Sequence, residues 1–262
     1  MTETIRRLQT NMPFRLLKEK YLPMVLEKGI NPEIGIDCFV LDNYSLDDFA
    51  AVAEPLHERG LTITLHGPFY DLRPGALDRC IREATAERIR QFFEAAPFFR
   101  PKTVVFHASY DVRYYFAHED EWLANSRTIW SSFISAAEKL DTTIVLENVY
   151  EDDPRELARL FACFKEDCRL RCCFDTGHFN CFSNGNLPEW LDAVGPYIGE
   201  VHLHDNDGSF DWHQPVGEGT FPFNELFHYL RKEGRDPVIA IEPHTEKNLW
   251  KTLENIDGMH LL

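Results

Sequence analysis

Eight short β-branched or apolar runs alternate with longer amphipathic runs along 262 residues, and no glycine-rich phosphate loop follows the first of them. Together these observations predict an α/β chain folded as a single-domain (β/α)8 TIM barrel, for which roughly 250 residues is the usual size. The competing architecture, a doubly wound open sheet, normally carries a glycine turn after its first strand. Leu8 to Pro13 contains no glycine. No linker or low-complexity tract divides the chain, so one domain over 1–262 is expected.

The strands follow in order. Leu8 to Met12 and Glu33 to Asp37 are the first two, and Thr62 to His66, Thr103 to His107 and Thr143 to Glu147 are threonine-led apolar runs ending in an ionisable group. Leu170 to Asp175, Gly199 to His204 and Val238 to Glu242 complete the set, and Cys172 and Cys173 fall inside the sixth. β-Branched and apolar runs of this length, bounded by turn residues, are strand signals. Between them, Leu77 to Ala96, Glu121 to Leu140 and Phe223 to Glu233 carry the clearest helical periodicity. Ser45-Leu-Asp-Asp48 reads as a capping box, and Gly29, Gly60 and Gly234 stand where helices should stop. Pro23 predicts a kink or an early break in the first helix.

The chain has 27 basic and 43 acidic residues, a net charge of −16, so it has no global field to attract nucleic acid. No apolar stretch approaches the length of a membrane helix, and the first residues lack the apolar core of a secretory signal. A cytoplasmic location without membrane attachment is therefore expected, with homo-oligomerisation left open. Seven cysteines without a C-x-x-C pair read as free thiols in a reducing compartment.

Eleven histidines stand out, because their placement is not random. In a barrel the functional site is built at the C-terminal strand ends. Here those ends carry His66, His107, Glu147, Asp175 with His178, His202 with His204 and Asp205, and Glu242. An isolated charge at the end of an apolar run is costly. Six consecutive strands ending this way imply convergence on something positive. The loop after the seventh strand adds Asp211-Trp-His213, whose outer side chains share a face if the loop is extended. Mixed imidazole and carboxylate ligands favour zinc, manganese or iron over magnesium, with one to three divalent ions expected.

These residues resemble the xylose isomerase-like TIM barrels, the superfamily of sugar and sugar-phosphate isomerases and epimerases that also holds endonuclease IV. The resemblance runs from about Asn11 to His244. It rests most on His66-Gly-Pro-Phe69, Leu146-Glu147-Asn148, Phe174-Asp175-Thr-Gly-His178, His202-Leu-His-Asp-Asn-Asp207, Asp211-x-His213, Gly217-Glu-Gly219 and Ile241-Glu242-Pro243. The epimerase branch implies one ion held by Glu147, Asp175, His202 and Glu242. The endonuclease IV branch implies three ions: one on His66, His107 and shared Glu147, one completed by Asp175, His202 and Glu242, and one on His178, Asp211 and His213.

The resemblance implies a metal-dependent isomerase or epimerase acting on a small sugar or sugar phosphate, with Glu147 and Glu242 as the acid–base pair. Proton transfer through a metal-stabilised enediolate is the expected route, and a hydride shift is its rival. A trinuclear phosphodiesterase is the alternative function, disfavoured by loops with few basic residues; a barrel that only binds metal or sugar is a lesser one. His204 is expected beside the ligands or facing the substrate. Phe69 and Trp212 are the expected aromatic walls for a sugar. Asp205 and Asp207 read as turn formers, and Gly217-Glu-Gly219 as a turn, with a phosphate cradle as the functional alternative.

Overall fold

The computed structural model describes residues 2–262. Its strands are β1 Gln9–Pro13, β2 Asn31–Gly35, β3 Thr64–His66, β4 Thr103–His107, β5 Thr143–Glu147, β6 Leu170–Asp175, β7 Ile198–Leu203 and β8 Val238–Ile241. Neighbours in sequence pair in parallel, and β8 returns to β1 through Ala240 opposite Gln9 and Ile241 opposite Thr10. The result is a closed (β/α)8 barrel.

Side chains alternate faces along a strand, and this chain sorts its chemistry by that period. Val104, Phe106, Leu146 and Phe174 point outward into the main hydrophobic core beneath the helices. Phe106 meets Phe92 and Trp130 there at centroid distances of 4.9 and 5.5 Å. Val105, Val145 and Cys173 form a separate small cluster inside the barrel. Two residues further along those strands come His107, Glu147 and Asp175, so the inward phase of each strand delivers its ligand to the mouth.

Most expected punctuation is present. Gly29, Gly60 and Gly234 take left-handed φ values of 68°, 71° and 62°. Ser45 and Asp48 form the reciprocal capping box of helix Leu46–Glu58. Pro23 breaks the first helix: a wide π turn over Leu17–Tyr21 leads into Leu22–Lys28, where proline sits in the first turn and its missing N–H costs nothing.

Most boundaries shift by one or two residues from expectation, and three of the differences have a physical reason. Strand β2 ends at Gly35, and Asp37 instead caps helix Cys38–Asn43 by accepting the Val40 amide at 2.8 Å. Helix Arg79–Phe99 runs past Pro97, because burying Phe99 against Phe14 and Phe49 outweighs one lost amide. Strand β8 stops one residue before Glu242, whose amide still donates to Leu203 at 3.3 Å and keeps it aligned with β7. Among the described residues, no helix is long and apolar enough to cross a membrane. The seven cysteines are free.

Candidate metal centre

All nine side chains singled out as ligands meet at the barrel mouth. His66, His107 and Glu147 form one group, with ligand atoms within 4.8 Å of one another, and His178, Asp211 and His213 lie in a second. Between them, His202 Nδ1 faces Glu242 at 3.1 Å, Glu147 at 3.6 Å and Asp175 at 3.8 Å.

The rings are oriented by what their other nitrogen touches. His66 Nδ1 lies 2.9 Å from the Gly67 carbonyl, His178 Nδ1 3.1 Å from the Asn148 carbonyl, and His213 Nδ1 3.2 Å from the Glu242 carbonyl. A backbone carbonyl can only accept, so each Nδ1 carries a proton, and Nε2 is the nitrogen that would offer a lone pair to an ion on losing its own proton. This is the support that metal-ligating histidines characteristically have. His202 is turned the other way. Its Nε2 faces Glu33 at 3.3 Å, leaving Nδ1 for the mouth.

Glu33 was missed by the sequence reading. Fully buried, it accepts hydrogen bonds from Asn11 at 2.8 Å and Thr64 at 3.1 Å, which aim it at His202. Asn148 supplies a second prop, exchanging hydrogen bonds with the Asp175 backbone at 2.9 and 3.1 Å and so locking the ends of β5 and β6 together. Glu200 lies below His202, fully buried and without a hydrogen-bond partner. Burial and the neighbouring Glu33 push its carboxyl well above the usual range.

Burial alone would depress His66 and His178, but carboxylates reverse this: Glu147 lifts the first, and Asp175, Asp211 and Glu147 lift the second. For His213 burial is likewise opposed, chiefly by Asp211, and the result is about 9. His107 follows its burial and is lowered. The carboxylates respond in the opposite sense. Burial would raise Glu147, Glu242 and Asp211, yet the surrounding imidazoles hold all three below the ordinary carboxylate range.

A cation fits this donor set. Nδ1 of His202 and Oδ1 of Asp211 are buried without a hydrogen-bond partner, although Glu242 and His204 stand within 3.5 Å of them. Such orphaned atoms are costly unless something satisfies them.

His204 is also within reach, with Nε2 3.0 Å from Asp175 and Nδ1 3.5 Å from Asp211. Its ring nevertheless lies parallel to that of His213, centroids 3.8 Å apart and planes inclined by 2°. Lone pairs lie in the ring plane, so two stacked imidazoles cannot both aim at one ion. His204 therefore backs His213 and holds Asp175 from a fully buried position. His244 stacks on the other face of His213 at 3.9 Å. Gly177 makes room for this arrangement, since a Cβ there would sit 2.0 Å from the His204 ring.

Asp211 and His213 converge by a different route from the expected extended loop. His213 adopts a left-handed φ of 46°, and its Nε2 comes within 3.1 Å of Asp211. Trp212 is consequently turned outward, half-exposed and packed on Phe210, away from the cavity wall. Phe69 does line the cavity, stacked on His107 at 4.5 Å. The cavity above the centre holds about 670 Å³, within the roughly 300–1,000 Å³ of small-molecule sites.

Glu33→Gln removes the charge behind His202 while keeping the shape. It is expected to weaken metal binding about 10- to 100-fold, measured by competition with a chromophoric chelator. Unchanged affinity would remove Glu33 from the supporting role.

Residues 32–259 match the model of a family described as Xylose isomerase-like TIM barrel. An uncharacterized protein of Methanocaldococcus jannaschii is 32% identical over 199 residues, covering 73% of this chain and 68% of its own length. The solved structure of a D-tagatose 3-epimerase-like protein is 26% identical and covers 96% of both chains with a TM-score of 0.79. A Thermus thermophilus protein, in a structure described as soaked with ZnCl2, shares the fold at 24% identity, with a TM-score of 0.76 over 97% of this chain and 98% of its own.

Proposed function

The chain belongs to the xylose isomerase-like TIM barrel family, and on that footing we propose that it is a divalent-metal-dependent sugar isomerase or epimerase. One observation carries the reading: Glu147 and Glu242, both held ionised, face His202 Nδ1 from 3.6 and 3.1 Å at the floor of one open cavity. The similarity to a D-tagatose 3-epimerase-like protein supports it.

Glu147, Asp175, His202 and Glu242 would hold the ion, which when bound supplies Lewis acidity toward a substrate carbonyl. The residues do the rest. Glu147 and Glu242 have carboxylates free of protons near neutral pH, as a group that accepts a proton from the carbon beside a carbonyl requires. His202, braced by Glu33, holds the pair at fixed separation, and Phe69 walls the cavity beside His107. Pre-set geometry of this kind lowers the barrier without later rearrangement.

Metal-loaded protein in deuterated water, incubated with pentoses, hexoses and their phosphates, is expected to interconvert at least one sugar pair. Deuterium should appear at the carbon next to the carbonyl, or interconversion should proceed without it if hydride shifts instead. No interconversion anywhere on the panel overturns the reading.

Assembly of His178, Asp211 and His213 beside the first two groups favours a second reading, phosphoester hydrolysis by a multi-ion centre. Incision of an abasic duplex by the metal-loaded protein, abolished by replacing Asp211 and His213 together with alanine, would establish it in place of the first.

A further inference from the structure

A side cavity of about 260 Å³ opens beside the centre and shares Asn11, Pro13, His213, Glu242 and His244 with the larger one. Its own wall is mostly apolar, built from Met12, Leu16, Tyr21, Met24, Pro243 and Leu249 with Thr10, Thr245 and Glu246 as the polar members, and no lysine or arginine lines it. Apolar space of roughly 150 Å³ is enough to take up benzene, so an aryl or short alkyl group fits.

The places where a phosphate would be held are already filled. Asp205, fully buried, accepts the amides of Gly217 at 3.0 Å, Gly219 at 2.9 Å and Phe221 at 3.1 Å. The loop after β7 therefore presents a carboxylate where a phosphate cradle would need free N–H groups. Arg73 is the one arginine on the wall of the larger cavity, and its guanidinium lies over the Tyr114 ring at 4.1 Å.

We propose that the substrate is an unphosphorylated sugar that carries both a carbonyl and an apolar substituent, such as a glycoside with one ring carbon oxidised to a ketone, with the sugar over Glu242 and the substituent in the side cavity. This rests on the sugar reading above and narrows it. His244, shared by both cavities and stacked on His213, marks the junction between the two parts of the ligand.

The chain has four methionines, and two of them line the side cavity, so carbon-13-labelled methionine methyls report on it directly. Titrating the metal-loaded protein with nitrophenyl glycosides of glucose, galactose, mannose and xylose should shift the Met12 and Met24 signals and leave Met259 in place. Leu16→Glu, at a partly exposed position, should lower that affinity about tenfold or more with an unchanged melting temperature. Unmoved Met12 and Met24 signals with all four glycosides overturn the proposal, as does an equal response in the Leu16→Glu variant. If free sugars interconvert while those signals stay still, the subsite alone fails. Shifted signals without any sugar interconversion sink the isomerase reading and leave the subsite standing.

Discussion

Glu147→Gln is expected to lower kcat for sugar interconversion by about 1,000-fold or more, with KM changed far less. Four of the five candidate histidine ligands surround it. Its carboxylate lies 3.1 Å from His66, 3.3 Å from His107, 3.0 Å from His178 and 3.6 Å from His202. Glutamine keeps the volume but removes the negative charge that joins the first ligand group to the second. Metal content measured by elemental mass spectrometry should fall with activity. A variant that retains its metal and loses less than about tenfold in kcat would exclude Glu147 from proton transfer.

Raising the pH from 6.5 to 9 is expected to move the metal-free and metal-loaded proteins in opposite directions. In the metal-free chain His213 titrates near 9, above its usual 6.5, and His178 is also raised. A histidine with a raised folded-state pKa contributes stability that is complete below its unfolded value and is lost as pH climbs through the folded one. The melting temperature of chelator-treated protein should therefore fall across this window. Metal binding needs both imidazoles neutral, so affinity should rise over the same range, with a slope approaching about two decades per pH unit while both must release a proton. Parallel melting curves for the two forms would refute the assignment of these histidines as ligands.

Much of the barrel was legible because six of the eight strands, β3 to β8, are apolar runs that lead to an ionisable residue, and each such residue lies at the mouth where that pattern placed it. Gly29 and Gly234 were readable for a local reason, since a left-handed helix end favours glycine. Glu33 was not. It sits within β2, and its significance depends on His202, far away in sequence and adjacent only once the barrel closes. Glu200 shared the i, i+2 spacing of His202 and His204 and could have been found from it. Trp212 stands outside the cavity lining, next to a positive φ at His213 that no local composition announces. The parallel stacking of His204 on His213 is likewise a tertiary fact, and it separates ligand from support where spacing could not.

The loop that follows β7 settles around Asp205, an anion that the chain carries within itself. Because three amides are occupied at folding, the stretch from Gly217 to Phe221 is ordered before any ligand arrives. Binding then incurs no entropy loss for immobilising that stretch.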